Sequence, residues 1–430
     1  MEFSHCYNAY FHPSASALGW KVQGLWLCSV RIIIGIGSRE AAAEKEETEA
    51  MKKILLMPDS FKGTLSSGEI CALMERAVKK HFPQCEVISV PIADGGEGSV
   101  DCFLSAVGGE KVATRVKGPL FEDIEAGYGI IHGGATAVIE VAATAGLPLI
   151  GDRKDPRRAT TYGCGEQMRH AMESGIRKLV VGLGGSATND GGAGAMAALG
   201  AAFYNAAGET FIPTGGTLKD IVRIDPAGLI PQIGETEIVT MCDIDNPLCG
   251  PSGAAYVFAP QKGADGQTVR ELDEGLAHYG EIVRRDLGVD ITGLPGAGAA
   301  GGMGGAMAAF LNSRLSMGIQ VVLDNIGFES LCEGADLIFT GEGCLDSQSL
   351  RGKAVIGIGR RAKPLGVPVV AVVGTVGGEV RDLSGEGIAC VFTTNRRSEP
   401  TEAAMRRGRE NMEQTMDNLM ALIRTVESRG

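Results

Sequence analysis

Residues 179–192 read Leu-Val-Val-Gly-Leu-Gly-Gly-Ser-Ala-Thr-Asn-Asp-Gly-Gly, and this stretch decides the fold class. Leu179, Val180 and Val181 are a short apolar run of the kind that makes a buried strand. Glycines follow at once, then the hydroxyls of Ser186 and Thr188, then Asp190 and a glycine pair. The Ala-rich run from Ala193 to Leu199 predicts a helix. A strand that breaks into glycines and opens a helix turns backbone N–H groups and the positive helix end toward an anion. Gly184 and Gly185 let the chain approach a phosphate closely, because glycine lacks a Cβ and tolerates positive φ. Ser186, Thr188 and Asp190 add oxygens able to hold Mg²⁺ directly or through water. A plain glycine turn between strand and helix accounts for the same residues without a ligand.

The same pattern recurs on both sides. Ile54–Met57 ends in Pro58-Asp-Ser-Phe-Lys-Gly63, and Ser66 with Glu69 has capping-box spacing for a helix running to about His81. Val87–Ile92 breaks into Ala93-Asp-Gly-Gly-Glu-Gly98 before a helix over Ser99–Val107. Such units predict a parallel sheet whose ligands sit beyond the carboxyl ends of the strands. Lys111–Lys117, Ala126–Ile131 and Ala137–Val141 read instead as antiparallel pieces, with Gly118-Pro119 as the crossing into a second domain. Thr160–Ser174 and Thr268–Arg285 are helix candidates. Toward the C-terminus, Val321–Leu323, Asp336–Phe339, Val369–Val373 and Ala389–Phe392 are strand candidates, and Lys353–Lys363 and Glu402–Glu427 helix candidates. The expectation is a two-domain α/β protein. A Rossmann- or flavodoxin-like parallel-sheet domain is built from residues 51–117 and 313–430, a mixed α/β domain of residues 118–312 is inserted, and the active site lies in the cleft between them.

Composition narrows the function. At 430 residues the chain has room for two or three domains. A net charge of −12 argues against nucleic acid, which needs a basic surface, but leaves room for a small anion held by local lysines. The 11 cysteines include no CxxC pair and are odd in number, which suits reduced thiols in a cytoplasmic protein. Six histidines without HxH or HExxH spacing argue against zinc. Ala17–Gly37 is apolar on average, but Lys21 and Arg31 interrupt it, so neither a membrane span nor a signal peptide is expected. Met51-Lys-Lys leading into Ile54 reads as a natural start. Residues 1–50 are therefore expected to be an extension, disordered or left from an upstream start codon. The sequence is compatible with a homo-oligomer and does not require one.

Five loops at strand ends share one vocabulary of acids, hydroxyls, lysines and glycines: Asp59–Gly63, Asp94–Gly98, Ser186–Gly192, Asp243–Asn246 and Thr340–Lys353. Each alone has a structural explanation as a cap or turn. Together they supply what phosphoryl transfer to a hydroxyl needs: metal ligands, cations, phosphate-binding amides and a carboxylate near the attacking oxygen. No GxxxxGK[ST] occurs, which excludes a P-loop kinase. Gly296–Gly301 satisfies GxGxxG, but Thr292–Pro295 before it is no buried strand, so a dinucleotide fold fails there.

In order along the chain, Pro58–Lys62, Ile92–Gly98, Gly182–Thr188 with Asp190–Gly192, Cys242–Leu248, Pro260–Gly263, Gly298–Gly304 and Thr340–Gly343 with Asp346–Gln348 and Gly352-Lys353 make up a constellation that resembles the bacterial glycerate kinase family. The resemblance runs from about Met51 to the C-terminus. It implies ATP and Mg²⁺ as co-substrates, D-glycerate as acceptor, a two-domain α/β fold, and a phosphoglycerate product, the 2-phosphate for this subtype. Within that frame Lys62 is the leading cation for a phosphoryl group or the glycerate carboxylate, and Lys353 the second. Asp190 or Asp94 is the carboxylate expected near the attacking hydroxyl, with Asp59 a further catalytic candidate. Asp243, Asp245 and Glu342 are candidates to hold Mg²⁺ or its waters. Gly184, Gly185, Gly301 and Gly302 are expected to cradle phosphates, with Ser186 and Thr188 beside them. The family commonly carries Arg after Thr-Gly-Glu-Gly, where this chain has Cys344; Arg351 is the nearby residue that could compensate. That loss keeps a catalytically weakened glycerate or sugar-acid binding protein as an alternative. An NAD-dependent oxidoreductase using Gly182–Ala187 as GxGxxA is a second, weakened by the apolar Leu199–Phe203 where a ribose-binding acid would stand.

Overall fold

A computed structural model describes residues 51–429, apart from Asp94, Gln348, Glu379 and Arg381. The expected extension, residues 1–50, and the candidate base Asp94 therefore lie outside the described residues. The strands of the two main sheets are β1 (Lys53–Pro58), β2 (Glu86–Ser89), β3 (Glu110–Lys117), β4 (Asp123–Ile131), β5 (Thr136–Glu140), β6 (Lys178–Gly182), β7 (Glu237–Met241), β8 (Arg314–Ser316), β9 (Leu337–Gly341), β10 (Val369–Val373) and β11 (Ile388–Thr393). The helices that matter here are α1 (Ser67–His81), α2 (Ser99–Val107), α3 (Tyr162–Glu173), α4 (Ala193–Ala198), α5 (Gly266–Leu287), α6 (Ala299–Leu311), α7 (Gly318–Ile326), α8 (Ala354–Ala362) and α9 (Gly408–Glu427).

The first sheet is parallel throughout, in the order β11-β10-β9-β1-β2. Its strands come from both ends of the chain, and the central pair β1 and β9 is joined in register from Ile54↔Leu337 to Pro58↔Gly341. The second sheet, β8-β7-β6-β5-β4-β3, is parallel from β8 to β5 and antiparallel from β5 to β3.

Alternation along β1 explains the layering, since successive side chains point to opposite faces. Ile54 and Leu56 pack with Ile70 and Met74 of α1 and Met416 and Met420 of α9. Leu55 and Met57 face the other way, into a core with Phe103 of α2, Val322 of α7 and Ile356 of α8. Val138, Val180 and Val239 of the second sheet belong to that same core, so a helical layer is shared between the two sheets. The far face of the second sheet, including Ile139, Leu179 and Val181, packs on α3, α4, α5 and α6 through Met168, Met196, Leu276 and Met303. Among the described residues no helix is long and apolar enough to cross a membrane.

Three expectations change. Val321–Leu323 lies inside helix α7, not in a strand. It is buried on nearly every face, and a short apolar run of that kind does not distinguish strand from helix. The strand at Lys111–Lys117 belongs to β3 and pairs with β4 in the second sheet, so the chain changes sheet before Glu110, not at Gly118-Pro119. The helix expected over Glu402–Glu427 is two, Thr401–Arg406 and α9.

The loops after β2 and β6 touch backbone to backbone. Gly184 donates its N–H to the Gly95 carbonyl at 3.0 Å. A Cβ on Gly184 would stand 2.5 Å from the Gly96 Cα. A Gly184→Ala variant is expected to lose about 1–3 kcal/mol of stability, as overpacking against backbone does. Urea unfolding measures it as a lower midpoint at unchanged slope.

Candidate active site

The carboxyl ends of both parallel regions open into one cleft of about 870 Å³. Placement at such ends is where open α/β sheets bind ligands. From the first sheet come Asp59 and Lys62, directly after β1, with Lys353 at the start of α8. Asp59 is 8% exposed; its N–H is held by the Gly341 carbonyl at 2.8 Å and its Oδ1 accepts from the Ser60 N–H at 2.6 Å. From the second sheet come Gly184, Gly185 and Ser186 after β6, and Asp243 after β7. Asp243 Oδ1 accepts the Gly318 N–H at 2.6 Å, which ties it to the start of α7.

Glu342, the first residue after β9, is not among the residues lining the cleft; it is buried at 8% exposure, and its Oε1 has no hydrogen-bond partner. Burial pushes its carboxyl above the usual range; a hydrogen bond with the Ser349 side chain and then the charges of Lys353 and Lys62 pull the other way, while that of Asp346 adds to the rise. Lys62, distant in sequence, therefore shares one electrostatic corner with Glu342 and Lys353 of the loop after β9.

The remaining candidates sit elsewhere. Asp190 is fully buried and accepts from the Thr161 N–H at 2.7 Å, Thr161 Oγ1 at 2.8 Å, Gly192 N–H at 3.1 Å and Gly194 N–H at 3.3 Å. Desolvation raises its pKa against those four bonds. A carboxylate so enclosed organises the loop and the start of α4. It is not among the residues lining the cleft. Thr188 is likewise buried, its Oγ1 donating to the Ala300 carbonyl at 3.2 Å. Gly301 and Gly302 serve close packing: a Cβ on Gly301, at φ +68°, would stand 2.1 Å from the Thr188 carbonyl oxygen. Ala300, Gly301 and Gly302 are three successive residues with positive φ. The Gly301 carbonyl accepts from the Gly191 N–H at 2.9 Å, so these glycines support the loop from behind. Asp245 is exposed and outside the lining.

Lys262 lines the cleft although it is not among the site residues expected from the sequence. The run Pro260–Gly263 marks only a turn, and nothing in its spacing says that the lysine points inward. In the fold Lys262 is 3% exposed and lines the cleft. Its Nζ donates to Ser186 Oγ at 3.1 Å and to the Thr188 carbonyl at 2.6 Å. Burial pulls its pKa down to about 8, with the Asp190 charge opposing. The signal available beforehand was the apolar run of Ala254–Ala259 leading into the turn, which puts its backbone close to the core.

The arrangement can hold a polyanion, with glycine amides and Lys262 on one wall and Lys62 and Lys353 opposite in the chain's topology. The sequence model described as the glycerate kinase family matches residues 54–424. The glycerate kinase of Bacillus cereus is 43% identical over 371 residues, covering 86% of this chain and 97% of its own. The glycerate 2-kinase of Escherichia coli is 40% identical over 372 residues, covering 86% and 98%. A crystal structure from Salmonella typhimurium LT2, assigned as a glycerate kinase 2, superposes with a TM-score of 0.77 at 38% identity, covering 88% of this chain and 100% of the other.

Removing the Asp190 carboxylate strands several buried donors, each costing about 1–3 kcal/mol. Asp190→Ala is therefore expected to lower stability by at least about 3 kcal/mol. Chemical denaturation checks this, and an unchanged midpoint would contradict the organising role.

Proposed function

The chain belongs to the glycerate kinase family, and we propose that within it the protein transfers the γ-phosphoryl group of ATP to the 2-hydroxyl of D-glycerate. The product is 2-phosphoglycerate, with phosphorylation at the 3-hydroxyl the less favoured outcome, and the setting is organic-acid degradation in the cytoplasm. The carrying observation is the single cleft that joins Asp59, Lys62 and Lys353 to Gly184–Ser186 and Asp243. The choice of hydroxyl is supported by the Escherichia coli relative, whose name specifies the 2-kinase. The family also displaces the nicotinamide-dependent alternative.

In this reading the amides of Gly185 and Ser186 face the nucleotide phosphates, while the Gly184 amide, bonded to the Gly95 carbonyl, fixes the loop. Lys62 and Lys353 spread positive charge over the moving phosphoryl group, where cations are worth most because that charge is shared among its outer oxygens in the transition state. Asp59 accepts the proton of the attacking hydroxyl as its oxygen bonds to phosphorus and the bridging oxygen leaves with ADP. Asp190 acts only through the loop that it holds. Among the described residues no three His, Cys, Asp or Glu side chains form a metal cage. That fits Mg²⁺, which is held by one or two carboxylates together with phosphates and water. Asp243, which lines the cleft, and the unpartnered Oε1 of Glu342, buried outside that lining, are the oxygens we assign to it. When bound, the ion neutralises phosphate charge. Exposed Cys344, at the position where the family commonly carries Arg, favours a second reading in which turnover is reduced.

Release of ADP on addition of D-glycerate, followed by NMR of the product, tests the assignment. A phosphate on the 2-position is expected, and no ADP release would overturn it. Lys62→Ala is expected to lower kcat by about 10²–10³-fold, the range for losing one transition-state charge partner. Circular dichroism should stay unchanged.

A further inference from the structure

We infer that Lys262 is a ligand-binding cation of the cleft, whose ammonium finds its counter-charge on an oxyanion carried in by a substrate. The observation is a buried charge bonded only to neutral partners. Lys262 is 3% exposed, and the acceptors of its Nζ are a hydroxyl, Ser186 Oγ, and a carbonyl, Thr188 O. Among the described residues no carboxylate bonds to it. The acid whose charge reaches it is Asp190, and that carboxylate is already engaged by Thr161, Gly192 and Gly194. Burying an ammonium without a bonded anion is costly, and such groups persist where they serve a site.

A strut for the loop does not need the charge. A neutral donor of the same length would make the same two bonds without the desolvation. An ammonium has three donors, and two of them are used on Ser186 and Thr188. Lys262 also belongs to the lining of the cleft, beside the glycines that follow β6. The chemistry that completes it is an oxyanion, either the phosphate chain of the nucleotide or the carboxylate of the acceptor. The inference depends on the kinase reading only for the names of these two anions.

The test uses the full chain with Lys262→Met, and with Lys262→Gln, which keeps a neutral donor. Calorimetric titrations with tripolyphosphate and with D-glycerate are run separately, without turnover, beside the Tm of each unliganded protein. Both variants are expected to lose about tenfold or more in affinity for one anion, the scale of a charged hydrogen bond. Affinity for the other should stay within about twofold, with Tm level or raised because a desolvated charge has gone. Loss for tripolyphosphate assigns Lys262 to the nucleotide; loss for D-glycerate assigns it to the acceptor carboxylate. Unchanged affinity for both anions overturns the inference. So does a wild type that binds neither, or an equal loss of both with a lowered Tm, the signature of a strut. A wild type that binds the anions but releases no ADP counts against the kinase reading alone.

Discussion

Everything in the cleft depends on the contact between Gly184 and the Gly95-Gly96 backbone. One loop ends a strand of the first sheet, the other a strand of the second, and they meet with no side chain between them. A single methyl group at Gly182 or Gly184 would lie 2.4–2.5 Å from backbone atoms of the other loop. That closeness brings the carboxyl ends of two separate sheets to one opening. Neither sheet alone carries both the glycine amides and the lysines of Lys62 and Lys353. The chemistry is therefore a property of how the sheets are joined.

Behind that junction the site is supported by charges kept away from water. Asp190 is enclosed by four donors and fixes the loop between β6 and α4. Lys262 crosses from another element to the same loop and brings a cation with neutral partners. Ala300, Gly301 and Gly302 wind left-handed against Thr188 and Asn189, a conformation that costs an alanine about 1 kcal/mol and a glycine little. Asp190 and the Ala300–Gly302 turn hold Gly184 and Gly185 in place from behind, and Lys262 alone of these parts also lines the cleft.

The alternating units at both ends of the chain were legible because parallel strands buried on both faces read as apolar runs, as Ile54–Met57 and Val369–Val373 do. The loops of the site were legible as strand ends, and Asp59, Lys62, Gly184, Ser186, Asp243 and Lys353 do line one cleft. Direction was not. Asp190 and Thr188 sit two residues apart among the cleft glycines, yet both turn inward, because sequence spacing does not say which way a glycine loop faces. Gly301 and Gly302 looked like a phosphate cradle for the same reason: a positive φ that lets a backbone approach an anion equally lets it approach a carbonyl. Lys262 is the converse case, buried although a lysine in a turn is ordinarily solvated. Val321–Leu323 is ambiguous in sequence because burial on all sides erases the period that separates helix from strand.

The split origin of the first sheet has a consequence for biosynthesis. Thr340 of β9 donates its hydroxyl to the Met57 carbonyl of β1 across 283 residues of chain. During translation β1 and β2 leave the ribosome long before β9, β10 and β11, so one edge of β1 stays unpaired while the whole second sheet is made. Pairings so distant in sequence close slowly, and an unsatisfied strand edge invites association with other chains until its partner arrives. The exposure of that edge during synthesis thus follows from the position of β9 in the gene, and truncation after the second sheet would leave Ile54–Met57 without its central neighbour.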